Sequence, residues 1–191
     1  ILSPFFTPND NNNDFDCEAF FVSEDSIFLF TKQWVSKETR IYSLPKEPGN
    51  HIAKSRSSLD ANGLITGAVY LEEEKIIVLS GYSKMLDPFF FLLYDFRGTD
   101  FFEGNKRKIE VLLPYHQIEG ITTADGIKYY VTNEYFSMDL LGTTPQKIHV
   151  FNLSSFLGIY LNLPILYPDT RNNFIISPVP VHDILAIKSL S

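Results

Sequence analysis

The sequence predicts an all-β fold: a partial β-propeller of about three four-stranded blades, half of a six-bladed ring. Three observations carry this. The composition is 45% hydrophobic and 15% aromatic, with 17 Phe and 10 Tyr in 191 residues, residue types that suit pleated, half-buried surfaces. Three stretches share one pattern, "DCEAFFVSEDSIFLFTK" from Asp16, "LITGAVYLEEEKIIVLSGY" from Leu64 and "QIEGITTADGIKYYVTNEY" from Gln117: a short apolar strand, a polar turn, and a second apolar strand ending in polar groups. Each is followed by a third strand, "TRIYSLPK", "FFFLLYDFRG" or "QKIHVFNLS", and the first two also by a more polar fourth, "HIAKSRSSL" or "NKRKIEVLL". Matching Glu18, Thr66 and Glu119 gives a repeat of about 50 residues, a period typical of propeller blades. A two-sheet sandwich with chance likeness between hairpins is the alternative.

In chain order, residues 1–15 read as a linker, because Pro, Asn and Asp do not build a ladder. Asp10, Asn12 and Asp14 mimic the opening of a calcium loop, but Phe15 stands where that loop needs Gly and Phe21 where it needs Glu, so the stretch reads as plain loop. The blades span 16–62, 63–115 and 116–156. Helical periodicity is confined to 153–163. Residues 157–173 form a second linker, and 174–191 begin a further module of one or two strands. Propellers close with roughly four to eight blades, so the expectation is either that more blades lie in a longer parent chain or that two copies associate.

Charge and composition exclude some classes. The net charge is −7 and the only basic cluster is Lys106-Arg107-Lys108, which is not the basic face of a nucleic-acid binder. No apolar run approaches the ~18 residues of a membrane helix. Cys17 is the only cysteine, so no internal disulfide forms, and within an apolar strand it reads as a small buried hydrophobe. There is no G-x-S-x-G, H-E-x-x-H or P-loop pattern. His51, His116, His149 and His182 lack metal-ligand spacing, and of these only His116 approaches the expected channel.

Two resemblances add an address. The tail "ISPVPVHDILAIKS" resembles the opening of the C-terminal sorting domain of the type IX secretion system, whose pattern is Y-P-N-P-x-x-D-x-L-x-I. Pro178, Pro180, Asp183, Leu185 and Ile187 fall on matching positions, while Val179 replaces the usual Asn and Ser177 the aromatic. The later strands of that domain are absent. The resemblance implies recognition by the type IX machinery, export across the outer membrane of a Bacteroidota-type bacterium, and release or surface attachment. The body, through "DFDCEAFF", "LFTKQW", "YSLPKEPG", "GLITGA", "LLYDFRG" and "EGIT", resembles secreted bacterial propeller proteins that end in this tail. That resemblance implies no particular chemistry.

The candidate site residues follow from the repeat. Asp14, Asp16 and Glu18 alternate along an extended chain and should share a face, where like charges need a screen. Glu18 and Glu119 begin innermost strands, which line a propeller's channel. With Asp16 they could hold Ca²⁺ through oxygen ligands, or accept hydrogen bonds from backbone amides of neighbouring blades. The strand ends Lys32 and Trp34, Tyr82 and Lys84, Asn133 and Glu134 should gather on one rim as partner contacts. Trp34 either meets a glycan or peptide or covers the edge of its own blade. The leading expectation is a secreted or cell-surface binding or scaffold module for an unknown protein or glycan. The alternative is a calcium-dependent phytase-like or esterase-like hydrolase with its site in the channel.

Overall fold

The computed structural model describes residues 13–138, 142–158, 160–161, 173–175 and 188–190. It is an all-β chain built of propeller-like antiparallel blades. The first sheet pairs β1 (Asp16–Val22), β2 (Ser26–Lys32), β3 (Glu38–Pro45) and β4 (Lys54–Asp60) in sequence order. The second repeats this with β5 (Leu64–Leu71), β6 (Ile76–Tyr82), β7 (Pro88–Tyr94) and β8 (Asn105–Glu110). The third differs. Its order is β13-β10-β9, from β9 (Ile118–Thr123), β10 (Lys128–Asn133) and β13 (Lys147–Asn152). It is three-stranded among the described residues, and a ribbon of β11 (Phe136–Met138) and β12 (Gly142–Thr144) is inserted before its third strand. The one helix described, α1 (Ser154–Leu157), is a single turn inside the window where helical periodicity was expected. The strands β14 (Asn173–Ile175) and β15 (Lys188–Leu190) pair antiparallel. Pro178, Pro180, Asp183, Leu185 and Ile187, like Asp10, Asn12 and His182, lie outside the described residues.

The chain divides into two compact units, with the boundary between Glu119 and Gly120. In the first unit the core lies between the two four-stranded blades. Ladder register fixes which side chains meet, since directly opposed residues share a face. On blade one, Ala19 pairs with Phe30 and Phe30 with Ile41, while Phe21 pairs with Phe28; all five are buried. They pack against Ile65, Ile77, Leu79, Phe89, Phe91 and Leu93 of blade two, with Ala68 and Tyr70 alongside. The β7–β8 loop returns Phe96, Phe101 and Phe102 to the same cluster. Phe101 meets Phe28 and Phe96 edge-on at centroid distances of 4.9 and 5.0 Å, the favoured arrangement of ring quadrupoles. Each buried Phe contributes roughly 1.5–3 kcal/mol of transfer free energy, so the aromatic content supplies the inter-blade adhesion.

Both innermost strands carry a β-bulge at the same repeat position, between Cys17 and Ala19 in β1 and between Ile65 and Gly67 in β5. The extra residues are Glu18 and Thr66, the two positions that mark the repeat. A bulge adds one residue to one strand and reverses the facing of everything before it. Simple alternation therefore fails here, and one expectation is corrected. Cys17 is exposed rather than buried, because the bulge moves it off the face that Ala19 and Phe21 bury.

Candidate functional site

The bulge decides the chemistry of the innermost strands. Asp14 lies before β1, and its Oδ1 accepts from the backbone amides of Val35 at 2.8 Å and Ser36 at 3.2 Å, tying down the β2–β3 loop. Asp16 Oδ2 accepts from Trp34 Nε1 at 3.0 Å. Lys32, paired with Asp16 across the ladder, sends its ammonium to Glu18 Oε2 at 2.7 Å and lies 3.7 Å from Glu119 Oε1. The ammonium also stands 5.0 Å from the Trp34 ring centroid and 5.4 Å from that of Tyr82, within cation–π range. The charge screening the acids is thus a lysine of the same chain.

The electrostatics agree. Burial works against the charged form of Lys32, but the hydrogen bond it donates to Glu18 and the charges of Glu119 and Tyr82 override it and hold its pKa above the ordinary lysine value. Burial pushes the Tyr82 hydroxyl up to about 12, with Lys32 offsetting part of the effect and Glu119 adding to it. Among the described residues no three His, Cys, Asp or Glu side chains group to hold a metal ion. Glu18 spends its near oxygen on Lys32 and Asp16 its near oxygen on the indole. The arrangement is a charge clamp across innermost strands. Thr66, standing where blade two lacks the acid, donates its hydroxyl to the Ile118 carbonyl at 2.6 Å and so joins β5 to the start of β9 without charge.

The positions expected on a rim separate accordingly. Lys32 and Tyr82 are buried in the clamp, and Trp34 is half-buried beside them, packed on its own blade's edge. Asn133 is buried too. Its side chain donates to the carbonyls of Glu134 and Pro145, while its Oδ1 receives the Lys147 amide and lies 2.9 Å from His149 Nε2. It organises the end of the third sheet instead of meeting a partner. A polar residue at a strand end looks alike in sequence whether it faces solvent or ties a neighbour, so burial alone distinguishes them. Lys84 and Glu134 are exposed as expected. His116 is half-buried, with Nδ1 2.8 Å from the Pro114 carbonyl.

One open cavity of about 520 Å³ lies at the loop end of the first unit. In an antiparallel sheet every second connection emerges at the same end, so the β2–β3, β4–β5, β6–β7 and β8–β9 connections meet there. They contribute Lys37, Asn62, Lys84, Met85, Leu112 and Leu113, and Lys108 of β8 completes the wall. Lys108 is anchored on the Ala61 carbonyl at 2.8 Å and the Asn62 carbonyl at 3.0 Å, over the Phe89 ring at 3.9 Å. Lys37 is anchored on the Trp34 carbonyl. Burial lowers the pKa of both, with the charge of Lys84 adding to the effect on Lys37. Lys37 and Asn62 sit at φ of 65° and 44°, a region that costs non-glycine residues roughly 1–3 kcal/mol and clusters at functional sites. Of this wall the repeat pattern pointed only to Lys84; Lys37 and Leu112 lie in loops with no periodic signal.

No protein-family model, curated protein or solved structure matches the chain.

Proposed function

We propose that this chain is a secreted or cell-surface binding module whose ligand enters the cavity at the loop end of blades one and two. The carrying observation is the cavity wall itself: Lys37, Lys84 and Lys108 stand beside Met85, Leu112 and Leu113. Convergent polar groups in a concave, largely apolar setting are the usual form of a ligand site. Leu112 is 98% exposed, an arrangement with no stabilising value to the fold. Three lysines against Asp87 and Glu110 favour a ligand with an anionic group on an apolar body, such as an acidic glycan or peptide. The lysine clamp on Glu18 and Glu119 supports a binding module over a calcium-dependent hydrolase, because the acids already have their cation. Export rests on the tail pattern of Pro178, Pro180, Asp183, Leu185 and Ile187, and fractionation of the producing cells would test it.

The binding test is a thermal-shift and NMR screen of acidic against neutral glycans and peptides on the whole chain. Acidic ligands should raise the melt, and Lys84→Glu and Leu112→Asp should abolish the rise while leaving the ligand-free melt unchanged. A panel without any response, or a response that survives both substitutions, sinks the assignment.

A further inference from the structure

Two loops of the cavity wall are braced by their own backbone. In the β6–β7 loop the Ser83 amide donates to the Asp87 carbonyl and the Leu86 amide to the Ser83 carbonyl, both at 2.9 Å. The Ser83 hydroxyl accepts the amides of Met85 at 3.1 Å and Asp87 at 3.3 Å. In the β8–β9 connection the Leu113 amide donates to the Val111 carbonyl at 2.8 Å, a three-residue turn with Leu112 at its apex. The Val111 amide reaches the Pro88 carbonyl at 3.0 Å and the His116 amide the Leu86 carbonyl at 3.1 Å, tying the two loops together. Bracing of this kind fixes the apex side chains before a ligand arrives and lowers the entropy cost of binding it.

These loops present one uncommitted cation beside aliphatic side chains. Lys37 and Lys108 spend donors on carbonyls of the fold. Lys84 makes no hydrogen bond or ion pair among the described residues. Met85, next to it, is 71% exposed, and Leu112 on the other loop is almost fully exposed. Three lysines against Asp87 and Glu110 leave the wall one net positive charge, in a chain whose net charge is −7.

The wall suits a peptide better than a sugar. Among the described residues Phe89 is its one aromatic ring, 1% exposed and lying under the Lys108 ammonium at 3.9 Å. No ring face is left for a sugar to stack on. A sugar also carries a hydroxyl on most of its carbons, and each one desolvated against Met85 or Leu112 without a partner costs affinity. Thioether and leucine side chains adapt instead to other aliphatic side chains.

We infer that the cavity ligand is an acidic peptide segment, with a carboxylate on Lys84 and neighbouring aliphatic side chains on Met85 and Leu112. This rests on the reading of the cavity as a ligand site and narrows that site to one class of ligand.

The test is NMR titration of the whole chain with four probes. The first is a capped peptide of one glutamate flanked by leucines. The second has glutamine for the glutamate, the third serines for the leucines, and the fourth is an oligosaccharide of glucuronic acid. The glutamate peptide should bind. The glutamine peptide should bind about ten- to a hundredfold more weakly, for want of one charge-assisted hydrogen bond. The serine peptide should be weaker by at least about tenfold, and the oligosaccharide should not bind. In Lys84→Met the glutamate and glutamine peptides should bind alike, and Leu112→Ser should weaken both. Both substituted side chains are exposed, so the ligand-free melt should not move. An oligosaccharide that binds as tightly as the glutamate peptide, and is lost in Lys84→Met, overturns the peptide assignment while the cavity remains a ligand site. Equal binding of the glutamate and glutamine peptides to the unsubstituted chain does the same. Silence from all four probes at millimolar concentration, or binding indifferent to both substitutions, overturns the cavity reading as well.

Discussion

Replacing Lys32 by methionine keeps most of the stem in place over Trp34 and Tyr82 but removes the ammonium. What remains is two carboxylates whose side chains are 36% exposed at Glu18 and 22% exposed at Glu119, so water can reach both. The loss is chiefly one charge-assisted hydrogen bond, about 1–3 kcal/mol. The reverse perturbation, Glu18→Gln with Glu119→Gln, strands an ammonium that is only 5% exposed. Leaving one partner of a buried pair uncompensated costs about 3–5 kcal/mol, and the two aromatic rings, which already face the ammonium in the unsubstituted chain, recover none of it. The double carboxylate variant should therefore be less stable than Lys32→Met by about 2 kcal/mol, the difference between the charges water can and cannot reach. Urea unfolding followed by the fluorescence of Trp34, the only tryptophan and a neighbour of the clamp, reads this as a difference in midpoint at constant slope. Equal costs, or a costlier Lys32→Met, would refute the argument that burial asymmetry governs the cluster. In the same melts calcium should leave the unsubstituted chain unmoved; a calcium-dependent rise would make Asp16, Glu18 and Glu119 a cation cage after all.

Lys32 and Tyr82 both hold their protons more tightly in the fold than in the unfolded chain. The folded state then binds more protons from about pH 10 upward, so stability is complete below that range and falls above it. For Tyr82, pushed up to about 12, the loss reaches roughly 2–3 kcal/mol. Urea midpoints between pH 9 and 12 should decline, less steeply in Tyr82→Phe, and a flat profile would contradict the cause assigned. Gly81→Ala should cost about 3 kcal/mol or more, because a Cβ there would meet the Leu64 carbonyl oxygen at 2.2 Å and Phe89 Cζ at 2.9 Å, and backbone cannot yield as a side chain can. Thermal unfolding checks it, and a near-neutral effect would show that β5 and β6 are free to separate. Thr66→Val should cost about 1–3 kcal/mol by leaving the Ile118 carbonyl without its donor, whereas Thr66→Ser should restore most of the loss in the same melts.

The strands were legible because their cause is local. Alternating and continuous apolar runs such as "SIFLF", "KIIVLSGY" and "FFFLLY", punctuated by polar turns, leave few ways to bury Phe and Ile except in paired ladders. The repeat registered by Glu18 and Thr66 was also legible, since equivalent bulges select equivalent positions. What these residues do was not. A bulge is a pairing event between strands and leaves no mark in one of them, so alternation wrongly placed Cys17 in the core.

The destination of each charge belongs to the tertiary structure. Lys32 reads in sequence as a polar strand end, and only its register opposite Asp16, beside the bulge at Glu18 and within reach of Glu119 far along the chain, makes it the buried cation of the clamp. The cavity likewise joins Lys37, Lys84 and Leu112 from separate loops, which meet because antiparallel strands return their connections to one end. Hydrophobic periodicity specifies the elements over a few residues. Electrostatic pairing is specified by distances between elements, and those exist only once Phe28, Phe30 and Ile41 have drawn the two blades together.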